Sequence, residues 1–277
     1  MDEGYVVVVG SAGIDIKGRP FGELHWESSN IGVVRNSVGG VARNIAENLA
    51  CLEVPTVLLT ALGRDVEGER VFAHCLDHDI DCKHLLMING ARTGTYLSML
   101  KPNGELLTAI GDFDIMHQVN SAYLLENEEV LAESDMVVID ATLDEAALHT
   151  LFEIAERHWL RVCADPTTPI LAAKIRPYLN QLHLVVPNAI ETAVLCDLPG
   201  PVRDREAGIA AARQLVNLGA QIAVVTMGEQ GLAYADGSGG GVIRSVTTQV
   251  VDSTGAGDAL TGAVIFGLLN DVPLDEA

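Results

Sequence analysis

Short apolar, β-branched runs recur along the chain, with amphipathic stretches between most of them. The strand-like runs are YVVVVG (5–10), TVLLTALG (56–63), MVVID (136–140), RVCAD (161–165), HLVVP (183–187) and IAVVTMG (222–228). Several are apolar at consecutive positions, the pattern of strands covered by helices on both faces. Between them, 39–53 (GGVARNIAENLACLE) puts Val41, Ile45, Leu49 and Leu52 on one helical stripe. Segments 66–77, 144–159 and 205–218 behave similarly, and ALTGAVIFGLLN (259–270) has the composition of a buried helix. Repeated βα units predict an α/β fold with a doubly wound, mainly parallel sheet.

Two regions break this rhythm. Residues 14–36 alternate polar and apolar positions with no helical period. Residues 93–111 hold two strand-like runs around Pro102-Asn103-Gly104, a hairpin signal. Together, over about 14–36 and 91–112, they predict a small antiparallel sheet inserted in the α/β core, of the kind that covers a site. GSGGG at 237–241 reads as a loop between two late strands, LAYA and VIRSV. With no internal repeat and no linker, 1–277 is expected to form a single domain.

At 277 residues the chain can bury roughly three quarters of its unfolded surface, enough for a self-sufficient core. Seventeen Lys+Arg against 38 Asp+Glu give a formal charge of −21, and no basic stripe is present. Nucleic-acid binding, which needs phosphate-neutralising cations, is thereby argued against. Five scattered cysteines without a C-x-x-C pair support neither a disulfide framework nor a zinc site; buried, reduced thiols are expected. The eight histidines are read as falling into neither H-x-x-x-H nor H-E-x-x-H spacing, and no His-based metal site is expected. The N-terminus MDEGYVVVVGSAG lacks a signal-peptide pattern, and no apolar run approaches the ~20 residues of a membrane span. A cytoplasmic protein without a membrane partner is expected.

The candidate chemistry gathers at the expected strand ends. In VDSTGAGDA (251–259), Gly255, Ala256 and Gly257 fall where the buried helix begins. Unpaired amides and a positive dipole at such a start can face a phosphate or an oxyanion, and glycine admits the anion to the backbone. Asp258 follows in the first turn, where a carboxylate is also favoured as a plain cap. Asn188 and Glu191, after HLVVP, fit a capping box equally well as a site orienting hydrated Mg²⁺. Gly39-Gly40 open a second helix, with Arg43 and Asn44 in its first turns; Asn44, a mediocre helix former, suggests a hydrogen-bonding task. Asp15 follows the first strand, Asp140 and Asp165 end strands, and Thr226, Gly228 and Gly231 close another. Strand ends of this kind gather ligand contacts, although caps and turns use the same residues. A dinucleotide fingerprint at GSAGID lacks its third glycine, and no G-x-x-x-x-G-K-[ST] occurs, so a dehydrogenase and a P-loop enzyme are both disfavoured.

These motifs resemble the ribokinase-like (PfkB) sugar and nucleoside kinases. VDSTGAGDA is similar to that family's C-terminal signature, VGGVARNIAENLACL to its N-terminal one, and Asn188-x-x-Glu191 to its magnesium and phosphate motif, in family order along the chain. The resemblance implies a Rossmann-like core with a β-sheet lid. It implies Asp258 as catalytic base, with Gly255, Ala256 and Gly257 as the anion hole for a phosphoryl group passing from ATP to a substrate hydroxyl. It implies Asp15, Gly39, Gly40, Asn44 and Asp140 as substrate contacts, and Asn188, Glu191, Thr226, Gly228 and Gly231 along Mg²⁺ and ATP. Asp252 and Thr254 correspond to a K⁺ site, and homodimers through the lid occur in the family.

Ribokinases carry Lys and a small residue where this chain has Val41 and Arg43. GGVARNIAENLACL, TGTYLSMLKPNGELLTAIGDFDI and ADPTT are instead similar to the family's bacterial pseudouridine kinases, which phosphorylate the 5′-hydroxyl of that nucleoside. Ribose, fructose-type sugars and other nucleosides are the alternatives within the class. A non-catalytic sugar- or nucleoside-binding regulator is the alternative outside it, and the retained Asp258 and Asn188/Glu191 argue against that. Family members continue past the point where this sequence ends at PLDEA. The C-terminal part of the family domain, which walls the adenine, is therefore expected to be absent.

Overall fold

In the computed structural model, which describes residues 4–246 and 254–276, the chain begins β1 (Val6–Val9), β2 (Gly13–Pro20), β3 (Gly32–Gly39), α1 (Val41–Cys51), β4 (Thr56–Leu59), β5 (Ala61–Gly63) and α2 (Val66–Asp77). Next come β6 (Leu86–Ile88), β7 (Gly94–Leu100), β8 (Leu106–Asp112), α3 (Ser121–Glu126), α4 (Glu128–Ala132), β9 (Met136–Asp140), α5 (Glu145–His158) and β10 (Val162–Asp165). The last part holds α6 (Pro169–Ile175), β11 (Leu182–Val185), α7 (Ala189–Cys196), α8 (Arg205–Asn217), β12 (Ile222–Thr226), β13 (Leu232–Asp236), β14 (Gly240–Ile243) and α9 (Ala256–Leu269).

One sheet orders eight strands as β14-β13-β12-β11-β10-β9-β1-β4. It is parallel from β4 to β12, and only β13 and β14 add antiparallel pairs at one edge. The four valines of β1 explain why the sheet is covered twice. Val7 and Val9 point into one core cluster and Val6 and Val8 into the other, all fully buried. A strand's side chains alternate between faces, so four consecutive apolar residues require apolar cover on both. Helices α5 and α8 supply it on one face (Leu148, Leu151, Leu215), and α1 and α9 on the other (Ile45, Leu49, Ile265). The expected stripe on α1 holds at Ile45 and Leu49 but not at Leu52, which caps the helix and is exposed.

The two rhythm-breaking regions form a separate four-stranded sheet, β3-β2-β7-β8. It is mixed rather than antiparallel: β2 pairs antiparallel with β3, but parallel with β7. The reason is that β2 and β7 are the first strands of their two hairpins. Each leaves the core at Gly13 or Gly94, and these residues stand opposite each other in the register. Strand β3 also runs further than expected, to Gly39, while β8 ends within the expected span at Asp112. The register separates two faces of unlike chemistry. Asp15, Ser37 and Tyr96 are cross-strand neighbours on one face, while Ile16, Leu97 and Ile110 are neighbours on the other. No helix among the described residues is long and apolar enough to cross a membrane.

Candidate active site

Asp258 lies in the first turn of α9, whose N-cap is Gly255, and is only 8% exposed. Helix α9 is apolar around most of its circumference because it is wedged in the core and packs along α1. That packing brings Asn44 to Asp258, and Asn44 Nδ2 donates to Asp258 Oδ2 at 2.5 Å. Burial pushes the Asp258 carboxyl up to about 6; the Asn44 donor and the Arg43 guanidinium oppose the rise, while Asp140 and Asp15 add to it. A carboxylate with that affinity for protons is suited to accept one near neutral pH.

Gly39 and Gly40 set how closely α1 begins beside the first strand. Gly40 has φ +97°, and a Cβ there would stand 2.5 Å from the Ala12 Cα and the Ser11 carbonyl oxygen. A Cβ on Gly39 would meet the Asp15 carboxylate at 2.3 Å, so the missing side chain is where Asp15 sits. Arg43, given no partner by the sequence, is 3% exposed and binds the whole corner together. Its guanidinium donates to the carbonyls of Gly39 (3.3 Å) and Val38 (3.2 Å), to Asn44 Oδ1 and to Glu47. The R-x-x-x-E spacing of Arg43 and Glu47 is the signal that could have revealed this pairing.

Asp140 requires a correction. It was expected to contact substrate, but it is fully buried with both oxygens engaged. Oδ2 accepts from the Ser11 amide (2.7 Å), the Ser11 hydroxyl (2.5 Å) and the Ala42 amide (3.3 Å). Oδ1 accepts from the amide (2.9 Å) and hydroxyl of Thr142. Asp140 therefore clasps the β1–β2 loop, the start of α1 and the end of β9. Its place at a strand end reflects that clasp.

Asn188 and Glu191 form the capping box in full. Asn188 Oδ1 accepts from the Ile190 and Glu191 amides, and Glu191 Oε2 accepts from the Asn188 amide at 2.8 Å. The cap turns Glu191 into the interior, 3% exposed, where burial raises its pKa and Asp258 adds to the rise. Asp165, at the end of β10, is held well above the usual carboxylate range by burial and by its neighbours Asp258 and Glu191. Thus Asp165 at the end of β10, Glu191 in α7 and Asp258 in α9 face a common acidic interior. The donor set fits Mg²⁺, a hard cation that takes carboxylate, water and phosphate oxygens. An ion there would offset the mutual repulsion of these groups.

The start of α9 is the wall between two cavities. One, of about 380 Å³, is lined by Asp15, Ser37, Asn44, Glu47, Thr254 and Gly255 among others. The second, of about 590 Å³, is lined by Asn188, Thr226, Gly228, Gly231, Ala256 and Gly257, with Ile190, Leu232, Ile243 and Leu260 giving it an apolar side. A Cβ built on Gly257 would meet nothing within 4 Å, so the helix start faces open space. The structure therefore groups Asp15 and Asn44 on one side of Asp258, and the strand-end residues 188, 226, 228 and 231 on the other. The Thr254 hydroxyl accepts from Lys17 Nζ at 2.7 Å. Asp252, its expected companion, lies outside the described residues. Four cysteines are buried as expected, but Cys51 is exposed at the edge of the first cavity.

Contrary to the expectation, His74 in α2 and His78 at its C-cap do stand in H-x-x-x-H spacing. Folding adds Glu47 from α1 to this pair.

A mainly parallel sheet with helices on both faces, a second small sheet, and a glycine-rich helix start between two cavities define a ribokinase-like fold. The pfkB family carbohydrate kinase profile matches residues 3–277, and the chain belongs to that family. It is accordingly a phosphotransferase with an alcohol group as acceptor. It is 32% identical to the pseudouridine kinase of Escherichia coli (strain K12), over 100% of this chain and 87% of that one. It is 28% identical to the guanosine-inosine kinase of Exiguobacterium acetylicum, over 98% and 90% of the two chains. Among solved structures, a carbohydrate kinase from Agrobacterium tumefaciens superposes with a TM-score of 0.80 at 25% identity, covering 98% of this chain and 86% of that chain.

Proposed function

We propose that the protein transfers the γ-phosphate of ATP to the 5′-hydroxyl of a nucleoside, with pseudouridine as the preferred acceptor. The observation that carries the reading is the position of Asp258, at the head of a helix whose first residues line two cavities. The acceptor takes the polar cavity, where Asp15 and Asn44 hold its hydroxyls. The nucleotide takes the larger cavity, with its base against the apolar side and its phosphates towards the amides of Gly255, Ala256 and Gly257. Asp258 removes the hydroxyl proton as that oxygen forms its bond to the γ-phosphorus. The bond to the bridging oxygen then breaks and ADP leaves. The helix start stabilises charge on the transferred group, and the dry interior strengthens that interaction. Glu191 and Asp165 would hold a bound Mg²⁺, which would supply neutralisation of phosphate charge. A potassium requirement is carried by the resemblance at Asp252 and Thr254 alone.

The four-stranded sheet is the lid of this site, because its polar face supplies Asp15 and Lys17 to the acceptor cavity. Its opposite face leaves Ile110 68%, Val34 74% and Leu97 44% exposed, and supports a homodimer formed through that face.

Two relatives, the pseudouridine and guanosine-inosine kinases, are kinases of nucleosides at higher identity than the ribokinases the chain also resembles, at 22%, which favours a nucleoside over a sugar. The carbohydrate kinase neighbour keeps a sugar acceptor as the second reading. An ADP-release assay with Mg–ATP over pseudouridine, uridine, guanosine, inosine, ribose and fructose decides. Pseudouridine is expected to give a kcat/KM at least ten-fold above the others. Ribose matching pseudouridine would overturn the acceptor, and no ADP release with any compound would overturn the transfer itself.

A further inference from the structure

We propose that Glu47, His74 and His78 form a binding site for one divalent transition-metal ion of the Zn²⁺, Co²⁺ or Ni²⁺ type, between α1 and α2 and separate from the Asp165/Glu191 interior. His74 and His78 are one helical turn apart, and their rings lie against each other with centroids 4.2 Å apart. Glu47 reaches them from α1. One ligand atom from each of the three residues lies within 4.8 Å of the others. His74 Nε2 is 3.2 Å from Glu47 Oε2, and His78 Nε2 is 3.4 Å from Glu47 Oε1. Ligands about 2.0–2.1 Å from a tetrahedral ion stand roughly 3.3 Å from one another, so each imidazole nitrogen already lies at ligand–ligand distance from one carboxylate oxygen, and a small adjustment of the side chains would bring all three onto one ion.

The hydrogen bonding of His78 gives the second, independent pointer. His78 Nδ1 is 2.8 Å from the His74 carbonyl oxygen. A carbonyl only accepts, so Nδ1 carries the proton, and the lone pair of the neutral ring is on Nε2, aimed at a carboxylate. With Nδ1 engaged, Nε2 is the His78 atom that meets Glu47, and either a proton or a metal ion bridges the two. A backbone carbonyl fixing one imidazole nitrogen while the other faces a ligand is also how metal-binding histidines are oriented. The three side chains are only 26–32% exposed, so an ion there would be shielded from bulk water on most sides. Two imidazoles and one carboxylate select borderline transition ions over Mg²⁺ or Ca²⁺, and three protein ligands leave a position for water. Arg43 shares the Glu47 Oε2 that faces His74, so an ion there would draw on a carboxylate that already answers one guanidinium.

The test uses the full chain without nucleotide or Mg²⁺, titrated with CoCl₂ and followed by visible absorption, and with ZnCl₂ by calorimetry. The expected result is saturable one-to-one binding with the bands of a nitrogen- and oxygen-ligated ion. His78→Ala, His74→Gln and Glu47→Gln are each expected to weaken it at least ten-fold, with unchanged far-UV circular dichroism. His84→Ala serves as a control and binds like the wild type. An absence of saturable binding would show that a protonated His78 paired with Glu47 is all the cluster is. Unchanged affinity in folded His74 and His78 variants, or the intense near-ultraviolet band of a thiolate ligand, would equally overturn the site.

Discussion

Asn44 Nδ2 donates to Asp258 Oδ2 at 2.5 Å, joining the second turn of α1 to the first turn of α9 across 214 residues of sequence. This bond puts the two signatures of the chain into one site. It also stabilises the charged form of a carboxyl that burial makes reluctant to ionise.

Replacing Asp258 tests the base directly. Asp258→Asn keeps the volume and the acceptor for Asn44 but cannot take a proton. Turnover is expected to fall by about 10²–10⁴-fold, the usual contribution of a general base, with acceptor KM within a few-fold of wild type. Steady-state ADP release measures both.

The same residue sets a pH dependence. As the proposed base, Asp258 acts in its ionised form, so kcat/KM is expected to rise with pH along a limb centred near 6. Stability runs the other way. The folded carboxyl holds its proton more tightly than the unfolded one, so its burial penalty is absent below about 3.8 and fully present above about 6. That rise in pKa corresponds to about 3 kcal/mol. Asp258→Asn should therefore melt several degrees above the wild type at pH 8, and at the same temperature near pH 4. Thermal melts at the two pH values check the sign.

Asn44→Ala removes the donor that favours the Asp258 carboxylate. The acid limb of the pH–rate profile is expected to move to higher pH, and acceptor KM to rise because Asn44 also faces the acceptor cavity. A profile that keeps its midpoint would remove Asn44 from the positioning of Asp258.

Gly40→Ala places a Cβ 2.5 Å from the backbone of Ala12 in a φ region unfavourable to L-residues. The strain is worth about 1–3 kcal/mol or more. A chain of this size loses roughly 2–4 °C of Tm per kcal/mol, so a melt lower by several degrees is expected, together with reduced turnover.

The outward face of the four-stranded sheet predicts its own outcome. Ile110→Glu or Val34→Glu puts a charge on the exposed apolar patch and should convert a dimer to a monomer in light scattering. The melting of the α/β core should stay within a degree or two.

Much of this was legible along the chain. The six strand runs, the helices between them and the late helix could be read because apolar periodicity is a local property, imposed by whichever faces must be buried. The glycine-rich helix start and the Asn188/Glu191 cap were likewise readable, since their chemistry is written in neighbouring residues. Long-range partners were not. The parallel pairing of β2 with β7 depends on two hairpins leaving the core side by side. Asp140 read as a site residue until Ser11, Ala42 and Thr142 closed around its oxygens. Arg43, a surface residue by any local measure, became 3% exposed only when β3, α1 and α9 converged on it. Glu47 joined His74 and His78 only through the packing of α1 beside α2. Residue order settled the elements and the chemistry available at their ends. Which of those ends share one desolvated interior, and so which carboxyls resist ionisation there, was settled by packing. Burial and charge coupling arise between segments far apart in the chain.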